Sequence, residues 1–300
     1  MDAKVVAVVV TFQPDQTLIE AVHALEPQVS SVLLVDNGSD SERLRILQQL
    51  RSAFEPMLLG KNLGVGAAHN IGIARARELG ATHVLLMDQD SIAQPKMVES
   101  MLTVEASLTA SGKRVGALGP VYHDPRLGKS WPFYRMSCFG VRGYECTGED
   151  TVPCDFLISS GTLVRMPVID EVGPINEGYF LEHVDTEWSL RARFHGFALF
   201  GVCNAHMNHM LGDDTVRVPF SDHHVQIYQP YRHYYLFRNS MLLWRERHAR
   251  LPWKLNEVRR LLARILYFSL FVPPRLERLR FMVLGIWHGM LGRIGPLRTR

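Results

Sequence analysis

Cysteine is scarce in this chain: Cys138, Cys146, Cys154 and Cys203 are the only four among 300 residues, and none forms a C-x-x-C pair. That leaves no zinc knuckle and no disulfide framework to expect, and a reduced, cytoplasmic setting is the simplest fit. Long clean apolar runs are missing too. The opening Lys4–Val10 stretch is too short to span a bilayer and lacks a small-residue cleavage site, so it reads as a buried strand rather than a signal peptide. Charge of one sign is also lacking, since 33 basic and 30 acidic residues leave a net +3, which gives no reason to expect a nucleic-acid partner. What is present is 47% apolar and 21% charged residues, enough for a sizeable core in one large domain with an appended segment.

The first half alternates strand and helix over short connections. Val5–Phe12 is a continuous apolar run suited to a strand covered on both faces; Asp15 can cap a helix over Gln16–Leu25, and Ser31–Val35 resumes the sheet. Ser41–Leu50 reads as a helix, Met57–Leu59 as a short strand, Ala67–Leu79 as a helix and His83–Met87 as a fourth strand. This is an α/β, Rossmann-like doubly wound pattern, in which ligands bind beyond the carboxyl ends of the strands. Three polar clusters fall there: Thr11-Phe12, Asp36-Asn37-Gly38-Ser39 and Asp88-Gln89-Asp90. Two carboxylates closing a strand can meet a divalent cation and a phosphorylated ligand, although Asp-x-Asp also occurs in ordinary solvated loops. The stretch from Asn62 through Gly64 and Gly66 to Asn70 and Gly72 resembles a phosphate or ribose cradle or, more plainly, a glycine-softened connection. Its spacing is not the dinucleotide fingerprint.

Taken in order, Val8–Phe12, Val35–Ser39, Asn62–Gly72 and Asp88–Asp90 resemble the family 2 inverting glycosyltransferases of GT-A fold. Met87–Ser91 is similar to the bacterial branch that transfers L-rhamnose from dTDP-L-rhamnose. The resemblance covers about residues 4–245. It implies that Asp36 reads the pyrimidine edge, that Thr11 and Phe12 line the base pocket, that Asn62, Gly64 and Asn70 border the nucleotide, that Asp88 sits near the ribose with Gln89 beside it, and that Asp90 holds Mg²⁺ or Mn²⁺. Gln89 departs from the commoner acidic or small residue of the wider family.

In the second half, Asp155–Leu163 reads as a strand interrupted by a small polar turn, with Ser159, Ser160 and Gly161 backing a sugar or acceptor pocket. Asp185 stands at or near the start of a helix, followed by Glu187, and an inverting transferase needs one carboxylate to take the acceptor hydroxyl's proton. Asp185 matches the family's base position, and Glu187 is placed in the acceptor pocket. The plainer alternative is a helix cap with Glu187 paired to Arg191. The family places a metal-ligating histidine about this far beyond the base, which fits His209, before Leu211-Gly212-Asp213, with His206 as the fallback. Arg238 and Asn239, in an aromatic stretch, are expected to face phosphate or acceptor.

From Arg245 onward basic residues outnumber acidic ones, and Pro273-Pro274 divides an arginine-bearing apolar segment into two short helices. Such helices can lie in a membrane interface, form core or join subunits. The expected organisation is a catalytic domain over 1–245, with a nucleotide-binding half (1–120) and an acceptor half (121–245), and a basic amphipathic helical segment over 246–300. The expected function is rhamnosyl transfer to a glycolipid or lipopolysaccharide-core or O-antigen acceptor, by a cytoplasmic enzyme peripheral to the inner membrane surface. A UDP-hexose donor, or an inactive nucleotide-binding scaffold, is the alternative.

Overall fold

The computed structural model describes residues 3–50, 54–148, 150–210, 212, 214–217 and 224–297. Its elements begin β1 (Val5–Thr11), α1 (Thr17–Leu25), β2 (Ser31–Asp36), α2 (Leu44–Leu50), β3 (Met57–Leu58), α3 (Val65–Glu78), β4 (His83–Asp88), β5 (Ile92–Ala93) and α4 (Met97–Ala110). They continue β6 (Val115–Asp124), β7 (Lys129–Ser130), β8 (Phe133–Ser137), β9 (Gly140–Tyr144), β10 (Thr151–Cys154), β11 (Thr162–Arg165), α5 (Met166–Val172), α6 (Val184–Phe194) and β12 (Ala198–Asn208). Last come β13 (Asp214–Arg217), β14 (His224–Ile227), α7 (Pro230–Trp244), α8 (Leu251–Leu270) and α9 (Arg275–Met290).

One mixed sheet runs β10-β12-β6-β11-β4-β1-β2-β3. β3, β2, β1 and β4 are parallel, as the alternating pattern predicts, and β11 enters antiparallel between β4 and β6. The pleat sends successive side chains to opposite faces, and β1 is buried on both. Val6, Val8 and Val10 meet Ala68, Ile73 and Ala76 of α3 on one side. Val5, Ala7 and Val9 meet Leu18, Val22 and Leu25 of α1 and Met97 and Met101 of α4 on the other. Register sets Thr11 beside Asp36 and Val10 beside Asp88, so the polar clusters expected at the strand ends emerge at one edge of the sheet.

Three expectations need correction. Cys146 and Cys203 are joined by a disulfide that links the segment after β9 to β12; the two residues lie 57 apart in sequence, a separation that spacing arguments do not capture. Asp155–Leu163 is not an interrupted strand: β10 ends at Cys154 and β11 starts at Thr162. Asp155 leaves the sheet to accept from the Met136 N–H at 2.6 Å and to pair with Arg193 at 3.0 Å. At the C-terminus the Pro-Pro division holds, but α8 has 20 residues and α9 has 16, and α9 lies along α7 with Gly285 against the Tyr234 carbonyl and Gly289 against that of Arg238. No helix among the described residues is long and apolar enough to cross a membrane.

Candidate active site

The ends of β4 and β12 build an acidic corner. Asp88 closes β4, Asp90 lies in the turn after it, and His209 follows β12 directly; one ligand atom from each lies within 4.8 Å of the others. His209 Nδ1 stands 3.6 Å from an Asp90 carboxylate oxygen. A chain of hydrogen bonds orients the imidazole: Ser160 donates to Ser91 at 2.7 Å, and Ser91 Oγ is 2.8 Å from His209 Nδ1. Ser160 also accepts from the Asp88 N–H at 3.2 Å, so it ties both ends of the corner together. Burial, reinforced by Asp90 and Asp185 against the opposing pull of His209, pushes the Asp88 carboxyl up to about 6. Two carboxylates and an imidazole make a donor set suited to Mg²⁺ or Mn²⁺, with the imidazole tilting toward Mn²⁺. The sequence put Asp88 by the ribose; the fold adds it to this corner. Leu211 and Asp213, which framed the choice of His209, lie outside the described residues, and His206 is exposed on β12.

A cleft of about 620 Å³ joins this corner to the start of α6. Asp88, His209, Ser159, Glu182, Asp185 and Arg232 all line it, with Trp131, Tyr134 and Phe156 forming an aromatic wall. Asp185 is the second residue of α6, and its Oδ1 accepts from the Thr186 N–H at 2.6 Å and, at 3.3 Å, from the Thr186 hydroxyl. Burial outweighs these bonds and raises the carboxyl above its ordinary range. Glu182, in the same cleft, goes the other way: although burial opposes it, Arg232 at 2.6 Å holds its carboxyl down. Neighbouring carboxylates pushed apart in this manner are suited to different tasks, Asp185 the more basic and Glu182 held ionised by Arg232.

Two helices of the C-terminal part, α7 and α8, hold the approach to Asp185. Buried Arg238 donates to the carbonyls of Tyr179 at 2.7 Å, Gly178 at 3.3 Å and Gly295, and Asn239 donates to those of Tyr179 at 3.0 Å and Glu182 at 2.7 Å. His183 caps α6 in the left-handed region at φ 68°. Its Nε2 meets Ser240 Oγ and Arg260, each at 3.0 Å. Arg238 and Asn239 therefore position the loop before Asp185 and do not line the cleft. Glu187 is likewise outside it, paired with Arg191 at 2.8 Å and His248 at 3.1 Å, as the plainer helical alternative anticipates.

At the nucleotide end several side chains are engaged with their own chain. Asp36 accepts from the N–H groups of Gly38 and Ser39 at 3.1 and 2.9 Å and from the hydroxyls of Ser39 and Thr11, which fills its four acceptor positions. A base N–H could reach it only by displacing one of these. Phe12 is exposed at the end of β1. Gln89 clasps the backbone there: its Oε1 accepts from the Phe12 N–H at 2.8 Å and its Nε2 donates to the Phe12 carbonyl at 3.1 Å. Asn62 accepts from the Gly64 N–H at 2.9 Å and from Asn37 at 3.1 Å. Gly64, at φ 93°, starts α3 where a Cβ would lie 2.6 Å from the Phe180 carbonyl oxygen. Asn70 faces away from the strand ends, bonded to both backbone groups of Ile175 and to Glu177. Gly161 enters β11 with its N–H on Leu86.

Sequence reasoning missed the aromatic wall, Ser91, Glu182 and the arginines of the cleft. Ser91 had a signal, since it directly follows Asp90. Arg232 had one too: it lies in the first turn of α7, where the helix opens onto the site, whereas Arg238 is flanked by core residues.

A mixed α/β sheet with an acidic corner beyond its parallel strands and a carboxylate facing that corner across a cleft defines a nucleotide-sugar transferase site. Residues 6–172, more than half of the chain, match Glycosyl transferase family 2, and the chain belongs to that family. It is 27% identical over 304 residues, covering 98% of both chains, to dTDP-rhamnosyl transferase RfbF of Shigella flexneri. It is 28% identical over 225 residues, 66% of this chain and 73% of the relative, to an N-acetylglucosaminyl-diphospho-decaprenol L-rhamnosyltransferase of Mycobacterium tuberculosis. Among solved structures, S. aureus TarS 1-349 in complex with UDP-GlcNAc is similar with TM-score 0.54 at 15% identity, covering 97% of this chain and 92% of that one. GalNAc-T7 with UDP, GalNAc and Mn2+ is similar with TM-score 0.58 at 13% identity, covering 94% and 55%. The fold is GT-A, and the protein is a glycosyltransferase.

Proposed function

We propose that this enzyme moves L-rhamnose from dTDP-L-rhamnose, with inversion, to a hydroxyl of a glycolipid or lipopolysaccharide-type acceptor. End-to-end likeness to a dTDP-rhamnosyl transferase carries the donor assignment, and the cleft joining Asp88, His209 and Asp185 supports the chemistry. Asp88, Asp90 and His209 would hold Mg²⁺ or Mn²⁺, which when bound neutralises charge on the departing diphosphate. Asp185 takes the proton of the acceptor hydroxyl, whose oxygen bonds to the anomeric carbon as the bond to the diphosphate oxygen breaks and its electron pair leaves with the nucleotide. The raised basicity of Asp185 favours this transfer, and paired Glu182 is the poorer acceptor. Asp36 holds the loop at the end of β2, and the thymine lies against the exposed edge near Phe12.

We also place the enzyme on the cytoplasmic face of a membrane, because α8 and α9 carry exposed apolar stripes, including Leu262, Leu266, Val283 and Trp287, with Arg275 and Arg280 exposed beside them. In a reducing compartment the Cys146–Cys203 bond would be open.

Thermal-shift measurements with nucleotide sugars test the donor reading. Ligand at about 100 times its Kd adds about 2.7 kcal/mol of stability, so dTDP-L-rhamnose with Mn²⁺ is expected to raise the Tm by several degrees and to exceed UDP-hexoses. The shift should shrink with EDTA and in Asp90→Asn. A preference for UDP-hexoses, or a metal-independent shift, would overturn the assignment.

A further inference from the structure

The catalytic reading leaves the far wall of the cleft unused. Arg232, Arg260 and Arg264 line it, from α7 and α8. Two of them are neutralised: Arg232 pairs with Glu182 at 2.6 Å and Arg260 with Glu257 at 2.7 Å. Arg264 has neither an ion pair nor a hydrogen bond among the described residues; its guanidinium meets only the Phe268 ring, 5.9 Å from its centroid. Burial first, then the like charge of Arg260 one turn earlier, press Arg264 down to about 10. A guanidinium that stays charged, with five donors and no direct hydrogen-bond partner among the described residues, is costly unless an anion joins it.

Position decides which anion. The charges acting on Asp88 are those of His209, Asp90, Asp185 and Arg232, so Arg232 belongs to the diphosphate end. Arg264, on α8, acts with Arg260 and Glu257, and shares the field of Glu182 with Arg232. In the same cleft Tyr134 and Phe156 stack at 5.9 Å, beside Trp131, and offer ring faces to a sugar. The opposite side of α8 exposes Leu262, Leu266 and Leu270. Read along the cleft, this gives a proton acceptor, an aromatic wall, an unpaired cation and, on the same helix, an apolar face.

We propose that Arg264, assisted by Arg260, is a phosphate-binding site for the acceptor, which is a sugar carried on a lipid phosphate or diphosphate. This deepens the transferase reading and rests on it. The competing source of the same chemistry is the donor's own diphosphate.

Titration calorimetry on the full chain separates the two, with farnesyl diphosphate as probe, farnesol as control, and dTDP and Mn²⁺ already saturating. Farnesyl diphosphate is expected to bind with dTDP in place and farnesol much more weakly. Arg264→Gln should weaken the diphosphate probe by about tenfold or more, the loss of a charge-assisted bidentate contact, with Arg264→Lys intermediate. The affinity for dTDP should stay within twofold, and the Tm of Arg264→Gln should not fall. Equal loss of dTDP affinity would make Arg264 part of the donor site, and unchanged probe binding, with or without a lowered Tm, would make it a structural cation; either result ends the proposal. If dTDP fails to bind the wild-type protein with Mn²⁺, the donor reading has failed, and the arginine site stands or falls on farnesyl diphosphate alone.

Discussion

At the scale of single residues, the cleft sets two carboxylates three positions apart to opposite tasks, and Asp185 is the one to remove. Asp185→Asn keeps the Thr186 contacts in shape and deletes the proton acceptor, so turnover should fall by about 10²–10⁴ while donor affinity stays within a few-fold. The pH profile supplies an independent check. A base works when ionised, so kcat should drop as pH falls through the Asp185 pKa, and because burial raises that pKa, the acid limb should lie above the ordinary carboxylate value of about 4. A limb at or below that value, or turnover surviving in Asp185→Asn, would leave Asp185 as a helix-start residue only. Asp90, His209 and Asp185 stood out in the sequence through their places in the family's ordered motifs, and the fold sets Asp90 beside His209, with Asp185 on the cleft that His209 also lines. Arg238, Glu187 and Asn70 could not be sorted that way. A buried arginine holding three carbonyls and an arginine reaching into a cleft look the same until burial is known. Asp36 carried a local signal that the base-reading assignment passed over: Asp-Asn-Gly-Ser is also a turn whose aspartate satisfies its own following N–H groups.

Among elements, those with strong periodicity were readable and those defined by long-range pairing were not. β1, β2, β4 and α3 fall within about two residues of their expected bounds, because continuous apolar runs and a glycine-marked helix start announce them. The reach of β12 to Asn208 beside β6 and the antiparallel entry of β11 depend on partners more than 40 residues away, which period alone does not encode. The α7–α9 contact gives a clean test of packing. Alanine in an exposed helix is favoured over glycine by about 1 kcal/mol. At Gly285, however, a Cβ would come within 2.5 Å of the Tyr234 carbonyl oxygen, so the sign should reverse. Gly285→Ala is expected to cost about 1–3 kcal/mol as overpacking, visible as a Tm lower by several degrees. A neutral or stabilising result would mean that α9 is not held against α7 at this distance.

For the whole molecule, the open question is what covers the outer surface of α8 and α9. Single exposed apolar residues are ordinary, but Leu262, Leu266 and Leu270 repeat at helical spacing on α8, while Val283 and Trp287 do so on α9. Of the arginines expected there, Arg278 drops out: it is buried and donates to the Tyr228 carbonyl at 2.8 Å. Membrane binding through the remaining surface combines apolar insertion with about 1 kcal/mol for each interfacial basic residue. Replacing Leu262, Leu266 and Trp287 by Gln should release the protein from anionic vesicles in a co-sedimentation assay and leave its melting curve nearly unchanged. Vesicle binding that survives this triple change, or that ignores salt, would sink the membrane placement.

The hold of Arg238, Asn239, Ser240 and Arg260 on residues 178–183 has a consequence in time as well as in space. A ribosome delivers the chain from its first residue, and domains form as their segments emerge. The acidic corner is complete once His209 has been made, but the loop before Asp185, which the Val65 N–H already meets at the Phe180 carbonyl, gains its remaining ties only when α7 and α8 follow. A nascent chain could therefore capture a metal and a nucleotide while still unable to turn them over, and the synthesis of α7 and α8 would switch on catalysis without adding a catalytic group.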